Sequence, residues 1–116
     1  MISYIIGIAG GTASGKTTLV STLSDHYGKD ISTIISQDSY YKDLSNLSLK
    51  QRRRTNYDHP NAIDIDLFHE HLIELKNGRT IEKPIYNFET HTRSPSFKSV
   101  SPKKLIFVEG TLIFHF

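Results

Sequence analysis

An α/β fold, with helices on both faces of a largely parallel sheet, is predicted for this 116-residue chain by three features. Short, nearly continuous apolar runs at residues 4–9 and 105–108 have the character of strands covered on both faces. Segments with apolar residues at helical spacing separate the strand candidates, the alternation that builds parallel sheets. Between the first run and the first helical segment lies Gly10-Gly11-Thr12-Ala13-Ser14-Gly15-Lys16-Thr17, a GxxxxGKT sequence in the strand-to-helix setting where such a loop cradles phosphate.

The run Tyr4 to Ala9 predicts a central strand. In the loop after it, Gly10, Gly11 and Gly15 let backbone N–H groups approach a phosphate chain without an intervening Cβ. The helix opening near Lys16 contributes unsatisfied N–H groups and the positive end of its dipole. Lys16 adds a mobile point charge, the Thr17 hydroxyl suits Mg²⁺, and Thr12, Ala13, Ser14 and Thr18 complete the nucleotide-binding segment. Leu19, Val20 and Leu23 give the helix from Thr17 to Tyr27 its apolar stripe, and Gly28 ends it.

Ile31 to Ser36 reads as a second strand. The polar segment Gln37 to Asn46 leaves its C-terminal end, where open α/β sheets place their ligands. Leu49 to Arg53 predicts a helical turn, and Thr55 to Asn61, with Asp58-His59-Pro60, a loop. Asp64 and Asp66 offer N-caps for a helix carrying Leu67, Phe68, His71, Leu72 and Leu75, closed by Asn77-Gly78. Thr80 to Phe88, interrupted by Pro84, and Phe97 to Val100 predict a small β-ribbon beside the main sheet. Leu105 to Val108 is a further strand, and Glu109 at its end is a metal-ligand candidate. No internal repeat or low-complexity tract interrupts this order.

Composition excludes several classes of function. A formal charge of +2 is too small to argue for nucleic acid, and the one dense basic run, Arg52-Arg53-Arg54, reads as a solvated face. Cysteine is absent, so neither a disulfide framework nor a thiolate metal site can form. The first apolar run is too short to span a bilayer and leads into the phosphate loop rather than a cleavage site. The expected setting is cytoplasmic, with no membrane and no nucleic-acid partner. His69 and His71 point to different faces of their helix and read as structural, and His26 and His115 have no partner at ligand spacing.

Four segments beyond the loop are more specific: Gln37-Asp38-Ser39-Tyr40-Tyr41-Lys42, Asn56-Tyr57-Asp58-His59-Pro60, Pro84-Ile85-Tyr86-Asn87-Phe88 with His91-Thr92-Arg93, and Val108-Glu109-Gly110. Taken together and in this order, they resemble the uridine/cytidine kinases, over nearly all of this chain but over the N-terminal half of that family's domain. The resemblance implies a P-loop NTPase-type three-layer parallel sheet with a small β-ribbon insertion. It also implies that residues 1–116 form one incomplete domain, truncated after the third main strand. The lid, several arginines and further strands are then absent, and the first strand's apolar edge is left exposed.

The resemblance also assigns roles. Asp38 resembles the base that takes the proton from a nucleoside 5′-hydroxyl, although by residue type alone it is equally a turn residue after a strand. With Lys16 it would carry the chemistry, and Thr17, Asp38 and Glu109 would surround Mg²⁺. Asp58 resembles the acceptor for ribose hydroxyls, a task that suits a carboxylate's two oxygens. Tyr86 and His91 resemble the groups that read the pyrimidine edge, and Tyr41, Tyr57 and Phe88 would wall the ring. By residue type alone these aromatics equally suit core packing and His91 a surface position. The implied donor is ATP or GTP, the acceptor uridine or cytidine, and the full-length family a homo-oligomer.

Overall fold

A computed structural model describes residues 3–9, 16–54, 62–90 and 92–110, with Lys16 and Thr17 described in backbone only. Two strand systems form. Strands β1 (Tyr4–Ala9), β2 (Ser32–Ser36) and β5 (Leu105–Gly110) make a parallel sheet in the order β1-β5-β2, and β3 (Ile81–Asn87) pairs antiparallel with β4 (Thr92–Val100). Among the described residues three α-helices accompany them: α1 (Lys16–Tyr27), the short α2 (Leu49–Arg53) and α3 (Ile65–Lys76). One 3₁₀ turn, Gln37–Tyr40, follows β2 directly.

The central position belongs to β5. Ile106, Phe107 and Val108 are all buried, as a strand covered on both faces requires. Alternation sends Ile106 and Val108 into a core with Ile35, Phe68, Leu75, Ile81 and Val100, while the Phe107 ring meets Tyr27 of α1 on the other face. The sheet thus lies between α1 on one side and α3 with the ribbon on the other, which is the three-layer arrangement.

The apolar edge expected of the first strand is exposed. Among the described residues β1 pairs only with β5, and Tyr4, Ile5 and Ile6 are 54%, 39% and 38% exposed. Leu19 departs from its expected place in the apolar stripe of α1, half exposed where Val20 beside it is buried.

Local signals set the remaining boundaries. Gly28 (φ 81°) and Gly78 (φ 83°) adopt the left-handed conformation that closes α1 and α3. Of the two candidate caps, Asp64 is the one used, its carboxylate accepting from Leu67 N at 3.2 Å, while Asp66 lies in the first turn. Ser48 and Gln51 form a reciprocal capping box that lets the five-residue α2 persist. The ribbon is longer than expected because β4 starts at Thr92, and its register shifts between Pro84 and Tyr86, where a proline cannot donate to the ladder. Among the described residues no helix is long and apolar enough to cross a membrane.

Candidate active site

Parallel strands deliver the ends of β1, β2 and β5 to one edge of the sheet. In register, Glu109 of β5 lies between Ile8 of β1 and Ser36 of β2. The residues that follow Ala9 in the sequence are the glycine-rich loop, those that follow Ser36 carry Asp38, and Glu109 is the penultimate residue of β5. The described ends of β1, β2 and β5 are therefore neighbours at the edge where α/β sheets bind ligands.

Asp38 is held by a local device. The Ser36 hydroxyl accepts from Asp38 N at 3.3 Å and caps the 3₁₀ turn, leaving the carboxylate exposed. Gln37 and Tyr40, one before it and two after, are buried and anchor the turn from below. Gln37 packs over Gly110, where a Cβ would stand 2.7 Å from the Gln37 Cβ. The backbone of the Glu109-Gly110 pair thus supports the turn that carries Asp38.

Tyr40 reaches His71 of α3, with its hydroxyl 2.7 Å from Nδ1. Burial raises the Tyr40 phenol above its ordinary range, against the opposing charge of Arg93, and burial likewise lowers His71. The pair is a neutral internal bond, in keeping with a structural role for His71.

A cleft of about 490 Å³ joins Asp38 to Tyr86 and Phe88, with Ser36, Pro84 and Lys98 also on its walls. Tyr41, Tyr86 and Phe88 form one aromatic group, with ring centroids 5.4 Å (Tyr41–Tyr86), 6.2 Å (Tyr41–Phe88) and 5.1 Å (Tyr86–Phe88) apart. The two contacts of Tyr41 are edge-on, at 75° and 88°, and fix its ring orientation, while Tyr86 and Phe88 meet at a tilt of 33°. Tyr86 is buried and Phe88 is 58% exposed, so the group runs from the interior to the cleft surface. Of the aromatic residues singled out in the sequence, three come together beside Asp38.

Arg93 was quoted in the sequence only as part of a segment, and the structure makes it a hub. It stands opposite Tyr86 across the ribbon, its Nε donates to the Tyr41 carbonyl at 3.1 Å, and its guanidinium meets Asp64 at 3.0 Å. Its backbone N–H donates to Asp43 at 3.3 Å. Burial works to raise the Asp43 carboxyl, but hydrogen bonds from Arg93 and Ser45 hold it below the usual carboxylate range.

Mg²⁺ can be tested against these side chains. The Glu109 Oε2 is buried and, among the described residues, has no hydrogen-bond partner, a costly state that a cation relieves. No group of three or more His, Cys, Asp or Glu is found among the described residues. A single buried carboxylate oxygen is compatible with Mg²⁺, which is commonly held by one or two carboxylates and completed by phosphate and water. Gly10 to Gly15, Tyr57, Asp58 and His91 lie outside the described residues, and Lys16 and Thr17 are placed only as the first residues of α1. Thr18 follows them with its side chain exposed.

Comparison with known proteins supplies the lineage. The model of the phosphoribulokinase/uridine kinase family matches residues 5–115. A uridine kinase of Clostridium novyi (strain NT) is 51% identical over 113 residues, 97% of this chain and 54% of that protein. One from Brevibacillus brevis (strain 47) is 52% identical over 109 residues, 94% of this chain and 51% of that protein. The chain spans about half the length of these curated relatives. Among solved structures, a possible uridine kinase from Bacillus stearothermophilus has a TM-score of 0.66 at 24% identity, covering 95% of this chain and 61% of that one. D-glycerate 3-kinase from Cryptococcus neoformans has a TM-score of 0.67 at 24% identity, covering 96% of this chain and 43% of that one, and both likenesses speak for the fold alone. With nearly its whole length matched by the family model and half its residues shared with these relatives, the chain belongs to the phosphoribulokinase/uridine kinase family.

Proposed function

We propose that this protein acts in the phosphorylation of uridine or cytidine at the 5′-hydroxyl, with ATP or GTP as donor, a step of pyrimidine nucleoside salvage in the cytoplasm. The observation that carries the reading is the cleft in which Asp38 shares walls with Tyr86 and Phe88. An exposed carboxylate beside an aromatic wall suits a polar hydroxyl carried by a flat ring.

In the reaction, Asp38 accepts the 5′-hydroxyl proton as the oxygen–phosphorus bond forms. The bond from the γ-phosphorus to its bridging oxygen breaks, and the nucleoside diphosphate leaves with that electron pair. Lys16 and the loop N–H groups hold the donor phosphates, and Asp58 accepts from the ribose hydroxyls. Tyr86 and His91 read the base, while Tyr41, Tyr57 and Phe88 wall it. Thr17, Asp38 and Glu109 would hold Mg²⁺, which when bound neutralises phosphate charge. Positioned acid–base groups contribute about 10²- to 10⁴-fold to rate, so Asp38→Ala should cost that much.

A second reading, for the 116-residue chain taken by itself, is binding of nucleotide and nucleoside without turnover. Release of ADP in the presence of uridine, Mg²⁺ and ATP separates the two. Uridine-dependent turnover that Asp38→Ala abolishes supports catalysis, and turnover no higher than in Asp38→Ala leaves only binding. Turnover that needs no nucleoside would instead point to a simple nucleotide hydrolase.

A further inference from the structure

A second cleft, of about 520 Å³, opens between the end of α1, β2 and the ribbon. Lys29, Lys83, Lys98 and Lys103 line it, and no carboxylate is among its described lining residues. These lysines come from the turn after α1, from β3, from β4 and from the turn before β5, so only the fold brings them together. The whole chain carries a formal +2, so four lysines with no carboxylate among the described lining residues make this cleft locally positive.

Two of the four stand in a relation that costs free energy. Lys83 and Lys98 are register partners across the ribbon, and like charges placed directly opposite destabilise a sheet. Burial first, and then the Lys98 charge, make the Lys83 ammonium easier to deprotonate than an ordinary lysine. A bound anion changes the sign of that balance. Each ammonium offers three donors as a compact point charge, and Ser99 and Ser101 also line the cleft. The volume falls in the range of small-molecule sites.

We propose that this cleft is a binding site for a small polyphosphate, distinct from the phosphate loop. Free polyphosphate and the polyphosphate tail of a nucleotide share the chemistry that four lysines recognise. Lys83 and Lys98 also border the cleft of Asp38, so the two sites share a wall.

The test is a titration of the full, isotopically labelled chain with inorganic tripolyphosphate at low salt without divalent cations, followed by backbone amide resonances. Saturable shifts are expected at Ser99, Ser101 and Lys103, and they should persist in Lys16→Ala. Each lysine contact removed should weaken binding about tenfold. Lys29→Gln with Lys103→Gln, both remote from Asp38, should therefore weaken it by well over tenfold, while the paired Arg substitutions retain it. A parallel titration with ATP assigns the sources: equal affinity at these amides points to the phosphate chain itself, and tighter binding to a nucleotide. Shifts confined to residues 10–17, shifts that do not saturate, or unchanged affinity in the folded double Gln variant would overturn the proposal.

Discussion

Gly110 is a glycine because the Gln37 side chain occupies the space its Cβ would need, and Gln37 adjoins Asp38. Gly110→Ala must displace a buried side chain, an overpacking cost of about 1–3 kcal/mol. Urea denaturation should show that loss, and because the displaced residue is next to Asp38, turnover or nucleoside affinity should fall with it. A variant as stable as the parent would mean that Gln37 moves freely and does not brace the turn. His71 offers a second test. Burial holds its folded-state affinity for protons below the ordinary value of 6.5, so between the two values the unfolded chain binds more protons than the folded one. Stability from this group is complete above about pH 6.5 and is lost as pH falls through that window. Thermal melts from pH 7.5 to 5.5 should therefore decline more steeply for the parent than for His71→Gln.

The ribbon is tied to the rest of the molecule by an apolar seam, through Ile81 and Val100, and by one polar side chain. Arg93 connects β4 to the Tyr41 backbone and to the Asp64 carboxylate that caps α3, so it orders an aromatic wall, a helix start and the end of the acceptor segment together. Charge-assisted bonds of this kind contribute about 1.5–3 kcal/mol each. Arg93→Ala should raise the nucleoside KM by tenfold or more with little effect on the KM for ATP, and Arg93→Lys should not restore it, because an ammonium cannot reproduce the fork. Asp64→Ala should cost about 1–2 kcal/mol through the cap alone. Combined with Arg93→Ala it should cost less than the two single changes summed, since both remove the same bond. A strictly additive cycle would show that Arg93 and Asp64 are neighbours without coupling.

At the scale of the molecule, what could be read in advance was whatever the chain encodes locally. Gly28, Asp64 and Gly78 fix helix ends through their own backbone and side chains, and the loop beginning at Gly10 is recognisable from spacing alone. The grouping of Asp38, Tyr41, Tyr86 and Phe88 followed from segments recognised in order. Arg93 carried no such mark, because its role depends on cross-strand register with Tyr86 and on partners 29 and 52 residues away. The lysine cleft was hidden for the same reason, its members being scattered between residues 29 and 103. The exposed apolar edge of β1 was legible in the sequence, and from it follows a prediction about association. In the described sheet β1 offers one edge without a partner strand, flanked by exposed Tyr4, Ile5 and Ile6. An unprotected apolar edge is a template for pairing with another chain, and natural edges are blunted by charge, above all lysine. Sedimentation of the 116-residue chain should therefore show concentration-dependent self-association. Ile6→Lys should shift that equilibrium toward monomer while leaving the far-ultraviolet circular dichroism unchanged, whereas Leu49→Lys, on the exposed and distant α2, should not. Equal association in all three chains would locate the contact elsewhere on the surface.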